Sequence, residues 1–475
     1  MLETIATDFL SLGTTQRQAQ PFIESVSISC RPSRQVDLSE PVSASIRGRV
    51  ARVDSIRSVL DFLGFLSAIP EKFLLDLSSI QEILRRLTSG TKIHSSFIGN
   101  GLSFIVRTYT QPDLPAELEE RLRSYDRQRE IGPAIIAIKS PRIESSSRAF
   151  DENLQATALR AVAWECHVLT HPPIQASENI VRLLGIIWED LEFGSAVRRM
   201  VPALAMEYAD AGTLDDLIDS QEYSLTYKIK KKLVLDVARG LNDLHQSHFI
   251  HGDIKTDNVL LFTDAQRELC AKVADFGCSI HISRENKIVH LSGRSPPWDA
   301  PESQEDISSQ LLGQIDIYGW GLLVWRVMLD GRTPFDSGKR QSARGVAVFD
   351  RILSYDRHSD EFFLKTQELK LSTDDLFLKY VKLTIPHDGI DSRRVTETLS
   401  CALLRDPLKR VRSFETISQV LEMGEKVICS SSTLDLDALS SERPSEGIPA
   451  KNPIAQPAVF SLVSEVGTRR FNHKP

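Results

Sequence analysis

Paired cysteines are missing from this sequence. Its six cysteines (Cys30, Cys166, Cys270, Cys278, Cys401 and Cys429) are scattered and form no C-x-x-C pair. That excludes the spacing of a zinc site and of a disulfide framework, and reads as reduced thiols of an intracellular protein. Long apolar runs are missing too. The best candidate, Leu60 to Leu77, is interrupted by Asp61, Glu71, Lys72 and Asp76, short of the roughly 18 residues a membrane-spanning helix needs. Positive charge is missing from the first residues, Met-Leu-Glu-Thr-Ile-Ala-Thr-Asp, where a secretory signal would carry it. The chain as a whole has no positive excess, since 57 Lys and Arg stand against 64 Asp and Glu for a formal net charge of −7, so a polyanion-binding role is not expected. The expectation is a cytoplasmic or nuclear protein with no membrane span and no nucleic-acid partner. Internal repeats are absent, and nothing in the pattern sets an oligomeric state.

What is present is an ordinary globular composition, with 41% hydrophobic and 25% charged residues over 475 positions. That is enough chain for a sizeable core, in two or three domains or one large two-lobed enzyme. Residues 1–91 read as an extension. Its first 50 or so residues are rich in Ser, Gln, Arg and Pro and lack periodic hydrophobics. From Val50 to Leu87 the apolar residues fall at helical spacing, which predicts two amphipathic helices broken near Pro70 that pack on the following domain. Residues 92–425 read as one domain. Short strand-like runs fill about 92–208 (Ser96 to Thr108, Ile135 to Ile138, Ile180 to Ile187, Leu204 to Tyr208), with a helix over Ala156 to Leu169. Helical texture follows over about 209–425. The charged segment Glu117 to Glu130 reads as a solvated insertion, and 426–475, rich in Ser, Pro and charge, as a flexible tail. A strand-rich block followed by a helix-rich block predicts an α+β fold of two lobes.

The chemistry concentrates in His251-Gly-Asp253-Ile-Lys255-Thr-Asp-Asn258, followed at once by an apolar strand and then by Val273-Ala-Asp275-Phe-Gly277. This pair of motifs resembles the catalytic loop and the D-F-G motif of the protein kinase superfamily. Phosphoryl transfer asks a protein mainly for positioning and charge neutralisation, and these residue types suit that task. The resemblance implies that Asp253 is the base toward the substrate hydroxyl and that Lys255 neutralises charge on the γ-phosphate. Asn258 and Asp275 would be oxygen ligands for Mg²⁺. It runs from about Lys92 to about Met423, and implies ATP as the phosphate donor and a protein with Ser/Thr hydroxyls as acceptor.

Upstream, Ile135-Ile-Ala137-Ile-Lys139 resembles the strand whose lysine holds the α- and β-phosphates, with Ala137 over the adenine. Glu165 is the expected ion-pair partner of Lys139, and Glu152 the rival. Ile98-Gly99-Asn-Gly101-Leu-Ser-Phe104-Ile-Val106 resembles the phosphate-covering loop. Gly99 and Gly101 free the backbone to approach phosphates, and Val106 sits on the adenine face opposite Leu260. Met206-Glu207-Tyr208 resembles the hinge between lobes. Trp298-Asp-Ala300-Pro301-Glu302 resembles the close of the activation segment, with Arg410 expected on Glu302 and Asp316 below His251.

Two residues depart from the family pattern. Phe104 stands where the third glycine is usual, and Gly252 where many kinases carry the arginine that pairs with a phosphorylated activation loop. Gly252 therefore predicts activity independent of such phosphorylation. Lys255 and Ser295 favour serine/threonine over tyrosine, and Cys278 reads as a small buried side chain. The resemblance leaves one alternative of a different class, a pseudokinase or scaffold that binds nucleotide or partners without efficient catalysis. A small-molecule kinase is disfavoured by the Ala-Pro-Glu segment and Ser295.

Overall fold

The computed structural model describes residues 53–70, 73–74, 95–100, 104–110, 120, 135–141, 152–193, 197–220, 225–264, 266–282, 288–291, 295–329, 366–372, 374–385 and 389–423. Apart from Glu120, the expected charged insertion lies outside these residues, as do the tail and most of the expected second N-terminal helix. The first expected N-terminal helix is realised as α1, Val59–Leu66. Ser58 starts it with a capping box. Its hydroxyl accepts from the Asp61 N–H at 3.2 Å, and the Asp61 carboxylate accepts from the Ser58 N–H at 2.9 Å. Phe62, Phe65 and Leu66 face inward and are almost fully buried.

The small lobe is a five-stranded antiparallel sheet in the order β1-β2-β3-β5-β4. The strands are β1 (Ser95–Asn100), β2 (Phe104–Thr110), β3 (Ile135–Pro141), β4 (Leu183–Phe193) and β5 (Val197–Glu207). β4 and β5 run well past the expected stretches, and Ile180 stands outside β4 as a lone bridge to Val273. Pro202 and the charges of both strands hide this hairpin from a hydrophobic pattern. The proline is tolerated because β3 pairs only with Leu204 to Glu207, so at Pro202 one edge of β5 carries no ladder.

Helix α2 (Glu152–Leu169) packs on the sheet and begins four residues before the expected start. α1 lies against α2 and β4. Phe62 meets Trp188 edge to face, with centroids 5.9 Å apart, and Arg160 donates to the Ile56 carbonyl at 3.2 Å. Leu74 then bridges to Ile186. Residues 53–70 and 73–74 thus pack into the small lobe's core. A short helix, α3 (Pro172–Ala176), leads from α2 toward β4.

The large lobe is mainly helical: α4 (Leu214–Asp219), α5 (Tyr227–Gln246), α6 (Gly313–Met328), α7 (Asp374–Thr384), α8 (Gly389–Ala402) and α9 (Phe414–Met423). α6 is buried on every side from Gln314 to Met328, as expected of a helix apolar around its circumference. Two-stranded sheets face the small lobe. β6 (Phe249–Ile250) pairs with β9 (Ile280–His281), and β7 (Val259–Thr263) with β8 (Leu269–Val273). Further out, β10 (Ile288–Val289) pairs with β11 (Ile307–Ser308).

The lobes are stitched behind the cleft. Val181 N–H donates to the Val273 carbonyl at 3.0 Å, and Val273 N–H to the Asn179 carbonyl at 2.8 Å. α5 passes so close here that a Cβ on Gly240 would lie 2.3 Å from the Asn179 carbonyl oxygen. Among the described residues no helix is long and apolar enough to cross a membrane.

Candidate active site

The loop between β6 and β7 carries Asp253, Lys255 and Asn258, and its backbone is fixed from beneath. Asp316, buried in the first turn of α6, accepts from the His251 N–H at 2.8 Å, the Gly252 N–H at 2.9 Å and the His245 ring at 2.8 Å. Burial alone would raise its carboxyl. The His245 ring and the backbone donors outweigh that and hold it below the ordinary 3.8. Gly252 has φ +80°, and a Cβ there would sit 2.7 Å from the Cys278 carbonyl oxygen. The loop and the segment after Phe276 approach each other at a point where only glycine fits.

Asp253, Lys255 and Asn258 converge. Lys255 Nζ lies 3.0 Å from Asp253 Oδ2 and donates to Ser295 Oγ at 2.8 Å. Asn258 Nδ2 donates to the Asp253 carbonyl at 2.8 Å and to Asp253 Oδ2 at 3.1 Å. That leaves Asn258 Oδ1 as its free oxygen, directed by an amide whose nitrogen is already committed.

A second cluster is tied to the first through the backbone, where the Ala274 N–H, next to Asp275, donates to the Asn258 carbonyl at 2.9 Å. Lys139 on β3 donates to Glu165 on α2 at 2.6 and 2.8 Å, and to Asp275 at 2.9 Å. Glu152, the rival, opens the same helix 13 positions earlier. Glu165 is completely buried, whereas the Asp275 side chain is 49% exposed. This difference separates the two acids. Burial pushes Glu165 up to about 7, against the pull of Lys139. Burial also acts on Asp275, but Lys139 prevails and holds it at about 2. Burial would depress Lys139, yet the two carboxylates raise it, so the ammonium persists in a dry setting. Asp275 is set at φ +65°, a left-handed conformation that is costly for a non-glycine residue and that clusters at functional sites.

The residues expected around the adenine lie on adjoining strands. Val106 is the cross-strand partner of both Gly99 and Lys139, and Ala137 that of both Thr108 and Met206. Glu207 ends β5, and Tyr208 follows it. Leu260, on β7, is partly buried against the core. Gly101 lies outside the described residues. Cys278 is half-buried, and burial pushes its thiol up to about 11, so it stays protonated near neutral pH.

Sequence reasoning overlooked several supports. Lys272 binds both Glu207 oxygens at 2.8 Å and pins the end of β5 to β8. Lys370, wholly buried, pairs with Asp299 at 3.1 Å and donates to the Asp299 carbonyl at 2.7 Å. Arg326 reaches Asp215 at 2.7 Å and Asp219 at 2.8 Å. A charged residue inside an apolar helical run, as Arg326 is, was the available signal, since such residues are almost always paired when buried.

Oxygen donors that are ionised, exposed and already oriented suit a hard divalent cation. Asp275 meets that description, and the neutral amide oxygen of the buried Asn258, oriented through its committed nitrogen, is a second oxygen donor.

A family model described as a protein kinase domain matches residues 132–423. β1 and β2 precede the matched region. The serine/threonine-protein kinase CLA4 of Candida albicans is 33% identical over 133 residues, 27% of this chain and 13% of that protein. The tyrosine-protein kinase csk-1 of Caenorhabditis elegans is 30% identical over 171 residues, 35% of this chain and 27% of that protein. The tyrosine-protein kinase receptor svh-2 of the same organism is 29% identical over 163 residues, 34% of this chain and 14% of that protein. The chain thus spans under a third of each relative's length, and the relatives include both acceptor types.

Proposed function

The chain belongs to the protein kinase family, and from that premise we propose that it transfers the γ-phosphate of ATP to serine or threonine hydroxyls of protein substrates. The observation that carries this reading is the meeting of two clusters across one cleft, Lys139–Glu165–Asp275 and Asp253–Lys255–Asn258–Ser295. Asp253 orients the acceptor hydroxyl and receives its proton as the new P–O bond forms and the bond from the γ-phosphorus to the departing ADP oxygen breaks. A base positioned in this way contributes typically about 10²–10⁴-fold. Lys255 lies between Asp253 and Ser295, where its charge offsets that of the transferring phosphoryl group. Lys139, oriented by Glu165, receives the α- and β-phosphates. Asn258 and Asp275 would hold Mg²⁺, which when bound neutralises phosphate charge. Val106, Ala137, Met206, Glu207, Tyr208 and Leu260 would enclose the adenine, with Gly99 and Gly101 above the phosphates.

The serine/threonine preference rests on Lys255 and its bond to Ser295. Independence from loop phosphorylation rests on Gly252, whose close approach to Cys278 leaves no space for a larger side chain. A second reading, a scaffold without efficient catalysis, has one observation on its side, the Phe104 ring lying over Lys139.

Purified protein incubated with labelled ATP, Mg²⁺ and a generic protein substrate, beside Asp253→Asn, tests the proposal. Incorporation that collapses in the variant, with label on phosphoserine or phosphothreonine, is expected. Equal incorporation by both refutes the mechanism, and label on phosphotyrosine refutes the acceptor class. Prior phosphatase treatment is expected to leave the rate unchanged.

A further inference from the structure

We infer that Phe104 gates the phosphate side of the nucleotide site, so that nucleoside di- and triphosphates engage Lys139 only after its ring swings away. The inference rests on the reading of Lys139 as the phosphate-binding lysine. Phe104 is the first residue of β2 and lies two positions before Val106. Residues two apart on a strand share a face, so Phe104 points to the same side as the residue expected on the adenine. It is 4% exposed. Its ring centroid lies 4.5 Å from Lys139 Nζ, within the range at which the negative face of an aromatic ring attracts a cation.

The ammonium has three N–H donors. Glu165 Oε1 at 2.6 Å, Glu165 Oε2 at 2.8 Å and Asp275 Oδ1 at 2.9 Å account for all three. The aromatic face covers a further side. A phosphate oxygen arriving at Lys139 therefore meets no free donor, and the ring stands over the ammonium. Asp275, half-exposed, can turn outward and release one N–H. Glu165, fully buried between Lys139 and the small-lobe core, has nowhere to go. The ring is the remaining obstacle. A glycine at this position would place nothing there, so the departure from the family pattern and the blocked ammonium are one feature.

The gate sets a difference between ligands. Adenosine fills the adenine and ribose region without approaching Lys139 and does not disturb the ring. ADP and ATP must displace a desolvated cation–π contact, which lowers their affinity by roughly two- to thirtyfold. Removing the ring while keeping the apolar volume should therefore favour the phosphate-bearing ligands selectively.

The test is calorimetric titration of the full chain and of Phe104→Leu with ADP plus Mg²⁺ and, separately, with adenosine. Phe104→Met serves as a second ring-free variant, and Phe104→Tyr as one that keeps the ring. Thermal denaturation without ligand identifies which variants are folded. The expected result is ADP binding tightened roughly two- to thirtyfold in the folded ring-free variant, adenosine affinity unchanged, and Phe104→Tyr close to the parent. ADP binding that is unchanged or weakened, or adenosine affinity that moves as far as that of ADP, overturns the gate while leaving the nucleotide site intact. Failure of every form to bind either ligand overturns the nucleotide reading itself, and the gate with it.

Discussion

Replacing Arg410 with alanine should destabilise the large lobe more than any single surface change. The Arg410 side chain is completely buried and Glu302 is 13% exposed. Its guanidinium makes five contacts: Glu302 Oε1 at 2.5 Å, Glu302 Oε2 at 2.8 Å, and the carbonyls of Leu404 at 2.6 Å, Gln314 at 3.0 Å and Arg405 at 3.1 Å. Those contacts match the five N–H donors that a guanidinium offers. The plane also rests over the Tyr318 ring at 4.7 Å. Alanine would strand a carboxylate and three carbonyls in a site that admits almost no water.

Breaking a buried pair from one side costs about 3–5 kcal/mol. At about 2–4 °C per kcal/mol for a lobe of this size, the melting temperature should fall by roughly 6–20 °C. On the reading of Glu302 as the close of the activation segment, the KM for a peptide substrate should rise while the KM for ATP stays near the parent value. Arg410→Lys should recover only part of the loss, because an ammonium cannot reproduce the fork. Differential scanning calorimetry and steady-state kinetics at 25 °C supply both readouts. A melting temperature within about 2 °C of the parent, with peptide KM unmoved, would refute the claim that this pair holds the segment.

Three further outcomes follow from named contacts. Asp316 has its carboxyl held below the ordinary range, so its contribution is present above pH ~4 and is lost as pH falls through the folded value. Asp316→Asn should therefore cost about 1.5–3 kcal/mol near neutral pH, and the gap between variant and parent should close below about pH 4 in denaturant titrations. Phe62→Ala, at a fully buried position against Trp188, should cost about 3–5 kcal/mol, and normal stability in thermal denaturation would show that α1 does not belong to the small-lobe core. Ser295→Ala removes the partner of Lys255 and should lower kcat roughly ten- to hundredfold with ATP KM little changed. Ser295→Thr should retain most of the rate, and equal loss in both variants would contradict a role for the hydroxyl.

The sequence by itself determined the order of the chemistry. His251 to Asn258, Val273 to Gly277 and Ile135 to Lys139 are short strings whose residue types and spacing survive without any knowledge of packing. Helical periodicity disclosed α1 and α2 for the same reason, since one face of each meets the core and the pattern is local. The β4–β5 hairpin was only half legible, because Pro202 and the charges along both strands break the alternation that a strand otherwise shows.

Tertiary structure alone decided the charge pairs that no motif announced. Lys139 and Asp275 are 136 positions apart, and Lys370 and Asp299 71. Nothing local to any of these residues encodes its partner. Phe104 marks the boundary most clearly. In the sequence it is a missing glycine. In the fold, the two-residue repeat of β2 and the pairing of β2 with β3 bring its ring to the ammonium of Lys139. Side-chain direction on a strand is set by the backbone, but what lies at the end of that direction is set by the neighbouring strand.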